Sequence, residues 1–183
     1  MNLWALFIPL IYYLLPSERT SRLILLAVTM TFFVVDLFRL HVTGVKDAFF
    51  MLFGSFMRHK EHNRINGATM LMMGCLMTGL LYHRTIFVAA VTYIIVGDTF
   101  AALIGQTVKS PRIFRKTIIG SSAFLLSCVA CGLIMHFFLD FQNLPLLHLM
   151  IGAVSATVFE AMPLPWDDNF SVPIFTGAIM WLI

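Results

Sequence analysis

An acidic residue lies inside an apolar run of this chain that is long enough to cross a membrane. Asp98 follows Gly97, and the positions three, four and seven residues further on are Ala101, Ala102 and Gly105. On a helix these small residues share a face with the carboxylate, so a neighbouring helix can approach closely there. Because an acid at mid-bilayer costs roughly 2.5 kcal/mol or more, Asp98 is predicted to face a polar cavity, a cation or a charged partner.

A basic loop follows this run directly. It extends from Gln106 to Lys116 and carries Lys109, Arg112, Arg115 and Lys116. Lys116 stands just before the small residues Gly120 and Ser121, and a lysine beside a helix amino terminus is a common way to bind phosphate. The same loop also fits a simple positive-inside topology signal, and both interpretations stay open.

A third polar group lies between the last two apolar runs, where the chain carries Glu160, Asp167, Asp168 and Asn169. Oxygen ligands of this kind suit Mg²⁺, which needs few carboxylates when substrate phosphates complete its shell. Adjacent side chains in an extended stretch point in opposite directions, so one of the two aspartates would bind directly while the other orients it. The alternative is a polar turn after Pro163.

Composition predicts the elements that must position these residues. The chain has 183 residues, of which 60% are hydrophobic and 11% charged, and its mean hydropathy is +0.90. A soluble domain of this size could not hide so much apolar surface. We therefore predict an all-α, polytopic integral membrane protein with about seven transmembrane or partial helices, forming a single domain over residues 1–183. Its three cysteines lie in apolar runs, which favours packing over metal or redox chemistry.

Seven apolar stretches are predicted as helices. They run roughly from Asn2 to Leu15, Leu23 to Leu40, Gly67 to Tyr82, Thr85 to Gly105, Thr117 to Leu139, Leu144 to Met162 and Phe170 to Ile183. The long connection after the second run contains the segment from Asp47 to Met57, which is too short to span and is predicted to lie at the membrane interface.

The distribution of Lys and Arg predicts the orientation. With the amino terminus in the cytoplasm, nine of these residues fall on the inner side and only Arg19, Arg22 and Arg84 fall outside. The same topology brings the acids named above to the inner half. We therefore expect a site for a divalent cation and a polyphosphate at the cytoplasmic face, in a cell inner membrane or its equivalent.

Five short motifs in this order resemble the CTP-dependent lipid-alcohol kinases. The motifs are Asp36-Leu37-Phe38-Arg39; Arg58 and Glu61 leading to Asn66-Gly67-Ala68-Thr69; Gly97-Asp98-Thr99 with Ala101, Ala102 and Gly105; Lys116-Thr117 with Gly120-Ser121; and Glu160-Ala161-Met162-Pro163 with Asp167-Asp168-Asn169 and Pro173. The family includes dolichol kinase, fungal-type diacylglycerol kinase and phytol kinase, and is related to the CDP-diacylglycerol synthases. This chain departs from the family at Ile119, where a glutamate is usual.

The resemblance implies transfer of the γ-phosphoryl group of CTP to the hydroxyl of a lipid alcohol, with Mg²⁺ as cofactor. The lipid would be a polyprenol, a phytol-like isoprenoid or diacylglycerol. Catalytic roles would go to Asp98, Glu160 and Asp168, and metal binding to Asp98, Glu160, Asp167, Asp168 and Asn169. Nucleotide and phosphate binding would involve Arg39, Arg58, Glu61, Asn66, Thr69, Gly97, Gly105, Lys116 and Gly120.

Two other functions compete with the kinase. A cytidylyltransferase would use the same metal and nucleotide groups but would join CMP to a phospholipid and release pyrophosphate. A small transporter could also keep acids within its spans, although it leaves the clustered bases explained only by topology. The predicted partners are the lipid substrate, the nucleotide and the bilayer, with no nucleic acid, and the sequence leaves a homodimer open.

Overall fold

Seven helices have defined bounds in the computed structural model, which describes residues 3–42, 44, 65–107, 110–113, 116–139, 141 and 144–183. A 3₁₀ turn, Leu3–Leu6, precedes the first helix. The helices are α1 (Phe7–Leu14), α2 (Glu18–His41), α3 (Gly67–Leu81), α4 (Arg84–Thr107), α5 (Ile118–Phe138), α6 (Leu146–Ala161) and α7 (Asp168–Leu182). Two-residue strands β1 (Arg112–Ile113) and β2 (Lys116–Thr117) pair in antiparallel fashion between α4 and α5.

The all-α membrane architecture predicted from the sequence is confirmed. Each apolar stretch corresponds to one α-helix, and the largest differences are at α1, which begins at Phe7 after the 3₁₀ turn, and at α2, which begins at Glu18 rather than Leu23. Three of the described helices, α2, α4 and α5, are long and apolar enough to cross a membrane, and α3 and α6 are shorter apolar helices. The predicted interfacial segment from Asp47 to Met57 lies outside the described residues.

Helix α4 forms the centre of the bundle. Every residue from Ile86 to Gly97 is buried, because α1, α3, α5, α6 and α7 all pack against this helix. Around it, α2 contacts α3, α3 contacts α7, α7 contacts α6, and α6 contacts α5. A continuous apolar run with no polar face is what a helix surrounded by other helices requires.

Small residues allow α4 and α5 to approach closely. This was predicted from the small residues that share a helix face with Asp98. A Cβ atom added to Gly120 would lie 3.3 Å from the carbonyl oxygen of Ala101 and 3.7 Å from the Cα of Gly105. At Gly97 an added Cβ would come within 2.6 Å of the Phe124 ring. Larger side chains at these glycines would separate the helices, so the small residues bring the start of α5 against the polar end of α4.

Helix α2 packs on the bundle through one narrow face. Its buried residues are Ser21, Leu25, Thr29, Asp36 and Arg39. Most of the remaining side chains are large, apolar and exposed, which is the pattern of a helix that turns its other faces to lipid.

The charged residues gather at two opposite ends of the bundle. At the amino-terminal end of α4, one Glu18 oxygen accepts a hydrogen bond from the Arg84 backbone N–H at 3.3 Å, and the other pairs with Arg22 at 3.3 Å. Asp98 and the basic loop lie toward the other end of the same 24-residue helix. The bundle thus has one end with the Glu18 cluster and another that carries most of the predicted site.

Candidate active site

Lys116 joins two acids from different helices at this second end. Its ammonium Nζ lies 2.6 Å from Glu160 Oε1 and 3.1 Å from Asp168 Oδ2. The three residues come from β2, the last turn of α6 and the first turn of α7. The basic loop and the acidic segment after α6 therefore lie on the same side of the bundle, as the topology prediction required.

Helix caps position two of these three residues, Lys116 and Asp168. Thr117 caps α5, because its hydroxyl oxygen accepts a hydrogen bond from the Gly120 N–H at 3.1 Å, and this holds the neighbouring Lys116 at the helix entrance. Asp167 caps α7 in the same way, accepting from the Asn169 N–H at 3.0 Å. The cap leaves Asp168 in the first helical turn, where it turns toward Lys116.

The surroundings of Lys116 keep it charged. Burial acts to lower the pKa of this lysine, but the hydrogen bond and charge of Glu160, followed by the charge of Asp168, outweigh burial. The pKa of Lys116 is therefore raised above its usual value. The side chain is a permanent cation at physiological pH, and with 30% of its surface exposed it can still reach a ligand.

Glu160 is the buried member of the group. Its side chain is 2% exposed, and its second oxygen, Oε2, is buried without a hydrogen-bond partner among the described residues. A buried carboxylate oxygen without a donor is costly, so such a group in a native structure calls for an explanation, such as a ligand.

A cavity of about 150 Å³ opens beside this ion-pair cluster. Its lining includes the charged residues Lys116, Glu160 and Asp168 and the apolar residues Leu164 and Trp166. No role was predicted for Trp166 from the sequence. The available signal was a tryptophan between Pro165 and Asp167, beside predicted metal ligands.

Asp98 lies where the buried run of α4 ends, and it is half-buried. It is close enough to Glu160 for the two negative charges to interact. The acid around which the site was predicted therefore lies near the Lys116 cluster.

A second buried ion pair, Asp36 with Arg39, anchors the start of α3. Arg39 Nη2 lies 2.6 Å from Asp36 Oδ1, and both side chains are almost fully buried. Asp36 Oδ2 also accepts a hydrogen bond from the Asn66 N–H at 2.6 Å. Asn66 in turn caps α3 by accepting from the Ala68 N–H at 3.1 Å. The ion pair therefore fixes where α3 begins.

The remaining predicted residues occupy three kinds of position. Gly97, Gly105 and Gly120 form the contact between α4 and α5. Thr69 is buried in the first turn of α3, close to where Asn169 Nδ2 donates to the Gly67 carbonyl at 3.4 Å. Arg58 and Glu61 lie outside the described residues.

In the part of the chain that the structure describes, no three His, Cys, Asp or Glu side chains are grouped so that they could hold a metal ion. The carboxylates of Glu160 and Asp168 do lie close together, with the Lys116 ammonium between them. Two carboxylates fit a Mg²⁺ ion that takes its other ligands from phosphate and water.

Comparison with known proteins yields three distant relatives. The chain is 25% identical over 175 residues to an uncharacterized protein of Rickettsia prowazekii, covering 93% of this chain and 85% of that protein. It is 25% identical over 187 residues to CTP-dependent diacylglycerol kinase 1 of Eremothecium gossypii and 26% identical over 171 residues to the Saccharomyces cerevisiae protein of that name.

The two alignments to kinases cover 90% and 81% of this chain, and the chain spans 59% of the length of each kinase. No protein-family model matches the chain, and no solved structure matches it. At low identity, but over most of its length, the chain is similar to CTP-dependent lipid kinases.

Proposed function

We propose that this protein transfers the γ-phosphoryl group of CTP to the hydroxyl of a membrane lipid alcohol. The observation that carries the proposal is the convergence of Lys116, Glu160 and Asp168, from three separate elements, on one cavity beside Asp98. Phosphoryl transfer needs such a combination of a cation for the phosphate and carboxylates at the reacting end. Two relatives are named as diacylglycerol kinases, so diacylglycerol is the first acceptor to test.

Lys116 is the residue we assign to the transferred phosphate. It is a permanent cation, it lines the cavity, and it stands immediately before the capped amino terminus of α5. The first three N–H groups of α5 already donate to Pro111 O, Ser110 Oγ and Thr117 Oγ1, so the helix favours an anion at this place through the positive end of its dipole. The ammonium and the helix terminus would then act on the same phosphate oxygens.

We assign the proton of the acceptor hydroxyl and the binding of Mg²⁺ to the carboxylates of the site. In the transfer, the acceptor oxygen forms a bond to the γ-phosphorus, the bond from that phosphorus to the β,γ-bridging oxygen breaks, and CDP leaves. The hydroxyl proton passes to a carboxylate, for which Asp98 is our candidate. Glu160 and Asp168 would hold Mg²⁺, which neutralises phosphate charge when bound, and Asn169 and the capping Asp167 would orient this segment.

Lipid borders the end of α4 that carries Asp98. Phe100, Leu103 and Ile104, in the part of α4 that follows Asp98, are exposed apolar residues. In a bilayer this surface faces acyl chains, and helical spacing puts it on the side of α4 away from Asp98, so an alcohol headgroup would reach the site around this end of the helix while its tail stays in lipid. We retain Arg39, Asn66 and Thr69 as residues that shape the site, and Arg58 and Glu61 as further proposed contacts to the nucleotide.

The test is to incubate the purified protein with nucleotides labelled at the terminal phosphate and a panel of lipid alcohols. Label that enters lipid only from CTP supports the proposal, and the preferred lipid identifies the acceptor. Release of pyrophosphate with CMP joined to a phospholipid would instead establish a cytidylyltransferase. Substrate movement across sealed vesicles without nucleotide consumption would establish a transporter.

We also propose that this end of the bundle faces the cytoplasm, where CTP is available. The proposal rests on the count of nine Lys and Arg residues against three. Single cysteines at Arg112 and Trp166, in a variant without the native cysteines, should both be protected from an impermeant thiol reagent added outside intact cells. Labelling of either from outside would contradict this orientation.

A further inference from the structure

The ammonium of Lys116 bridges two carboxylates that come from different helices. It lies between Glu160 Oε1 and Asp168 Oδ2, at 2.6 and 3.1 Å. A cation between two carboxylates from different helices is the arrangement expected for a metal that joins α6 to α7.

Lys116 leaves one carboxylate oxygen beside the cavity without a partner among the described residues. Glu160, Asp167 and Asp168 line the cavity with Lys116. Lys116 pairs with Glu160 Oε1, whereas the buried Oε2 of the same carboxylate has no hydrogen-bond partner among the described residues. A metal ion that entered with a polyphosphate would supply a partner for this carboxylate.

We propose that Lys116 is an exchangeable counter-ion, which holds the metal-binding carboxylates in the free protein and moves to the phosphate when the metal–nucleotide complex enters. The inference rests on the proposed function for the identity of the incoming anion. Lysine is suited to this exchange because it is a point charge on a flexible four-carbon stem. The exposed fractions of Lys116 and Asp168, 30% and 36%, leave room for the movement.

The exchange couples the binding of metal and nucleotide. A metal ion arriving alone must separate Lys116 from both carboxylates and leaves the lysine without a partner. A metal ion arriving with a polyphosphate supplies that partner. The free protein should therefore bind the metal weakly, and removing the lysine charge should strengthen metal binding in the absence of nucleotide.

The experiment measures Mn²⁺ binding to the full chain in detergent, without nucleotide, by the loss of the free-ion electron paramagnetic resonance signal. Lys116→Met and Lys116→Gln should each bind Mn²⁺ about tenfold or more tightly than the unmodified protein, a difference of about 1.4 kcal/mol. Lys116→Arg keeps the charge and should show no gain. Arg112→Gln, which removes an exposed cation of the same strand pair, should also show none. Adding Glu160→Gln to Lys116→Met should abolish the gain.

Equal Mn²⁺ affinity in the unmodified protein and in either folded lysine variant would overturn the inference, as would a gain that survives Glu160→Gln. Because the readout is metal binding alone, it does not depend on turnover. Failure of the proposed function would appear separately, as the absence of labelled lipid in the CTP assay.

Discussion

Glu160→Gln separates a catalytic role of this carboxylate from a structural one. The substitution keeps the shape of the side chain, and the amide oxygen can still accept the hydrogen bond from Lys116 that now spans 2.6 Å. What it removes is the negative charge of a residue that is 2% exposed.

The expected effect on stability is small, because two terms oppose each other. A hydrogen bond to a charged group contributes about 1.5–3 kcal/mol, and the substitution weakens it. The same substitution also removes the penalty for burying a charge, which amounts to several kcal/mol per ion. We therefore expect the free energy of unfolding to change by less than about 2 kcal/mol, whereas transfer of phosphate from CTP to lipid should fall by about 10² or more.

Glu18→Gln is the matched control. It makes the same chemical change in an ion pair, with Arg22 at 3.3 Å, at the opposite end of the bundle, where the carboxylate is 39% exposed. An exposed pair of this kind contributes about 0–1 kcal/mol, and the variant should keep full activity. Thermal unfolding in detergent and the labelled-CTP assay measure both quantities. Retained turnover in Glu160→Gln, or a loss that only follows the folded fraction, would refute the assignment.

Three further predictions concern Asp98, the contact between α4 and α5, and the buried ion pair of α2. Asp98→Asn should lower phosphoryl transfer by about 10² or more without unfolding the protein, and rescue by higher Mg²⁺ would mark a metal ligand rather than a proton acceptor. Gly120→Ala places a Cβ 2.7 Å from the hydroxyl that caps α5, so it should lower the unfolding free energy by about 1–3 kcal/mol, while Gly44→Ala, with nothing within 4 Å, should not. Arg39→Met leaves Asp36 buried with its charge unpaired and should cost about 3–5 kcal/mol, whereas the double variant with Asp36→Asn should unfold at a higher temperature than Arg39→Met alone.

The helices could be predicted because each is encoded locally. Apolar runs bounded by polar or proline residues fixed the ends of α4 to within two residues, and the small residues after Asp98 indicated which face would meet a neighbour. These signals depend only on hydropathy and helical spacing, which a single sequence contains. The same reasoning identified Lys116, Glu160 and Asp168 as candidates from their chemistry.

The pairing of those candidates could not be predicted, because it depends on how helices distant in sequence pack together. Lys116 is 44 and 52 residues from its two partners, and no periodicity encodes that contact. The sequence allowed Asp98 to face a polar cavity, a cation or a charged partner. Nothing in it indicated that Lys116 would hold Glu160 and Asp168, or that Asp36 would accept the N–H of Asn66, the residue before α3.

The unequal lengths of the helices have a consequence for the surrounding bilayer. At about 1.5 Å per residue, α2 and α4 are about 36 Å long, whereas α3, α6 and α7, which pack side by side, reach only about 22–24 Å. A hydrocarbon core of about 30 Å is too thick for the short group, so we expect lipid to thin along that flank. The cavity lies at the junction of α6 and α7, on the thinned side. Hydrophobic mismatch would thus lower the headgroup layer toward Glu160 and bring a lipid hydroxyl to the depth of the carboxylates without lifting the lipid out of its leaflet.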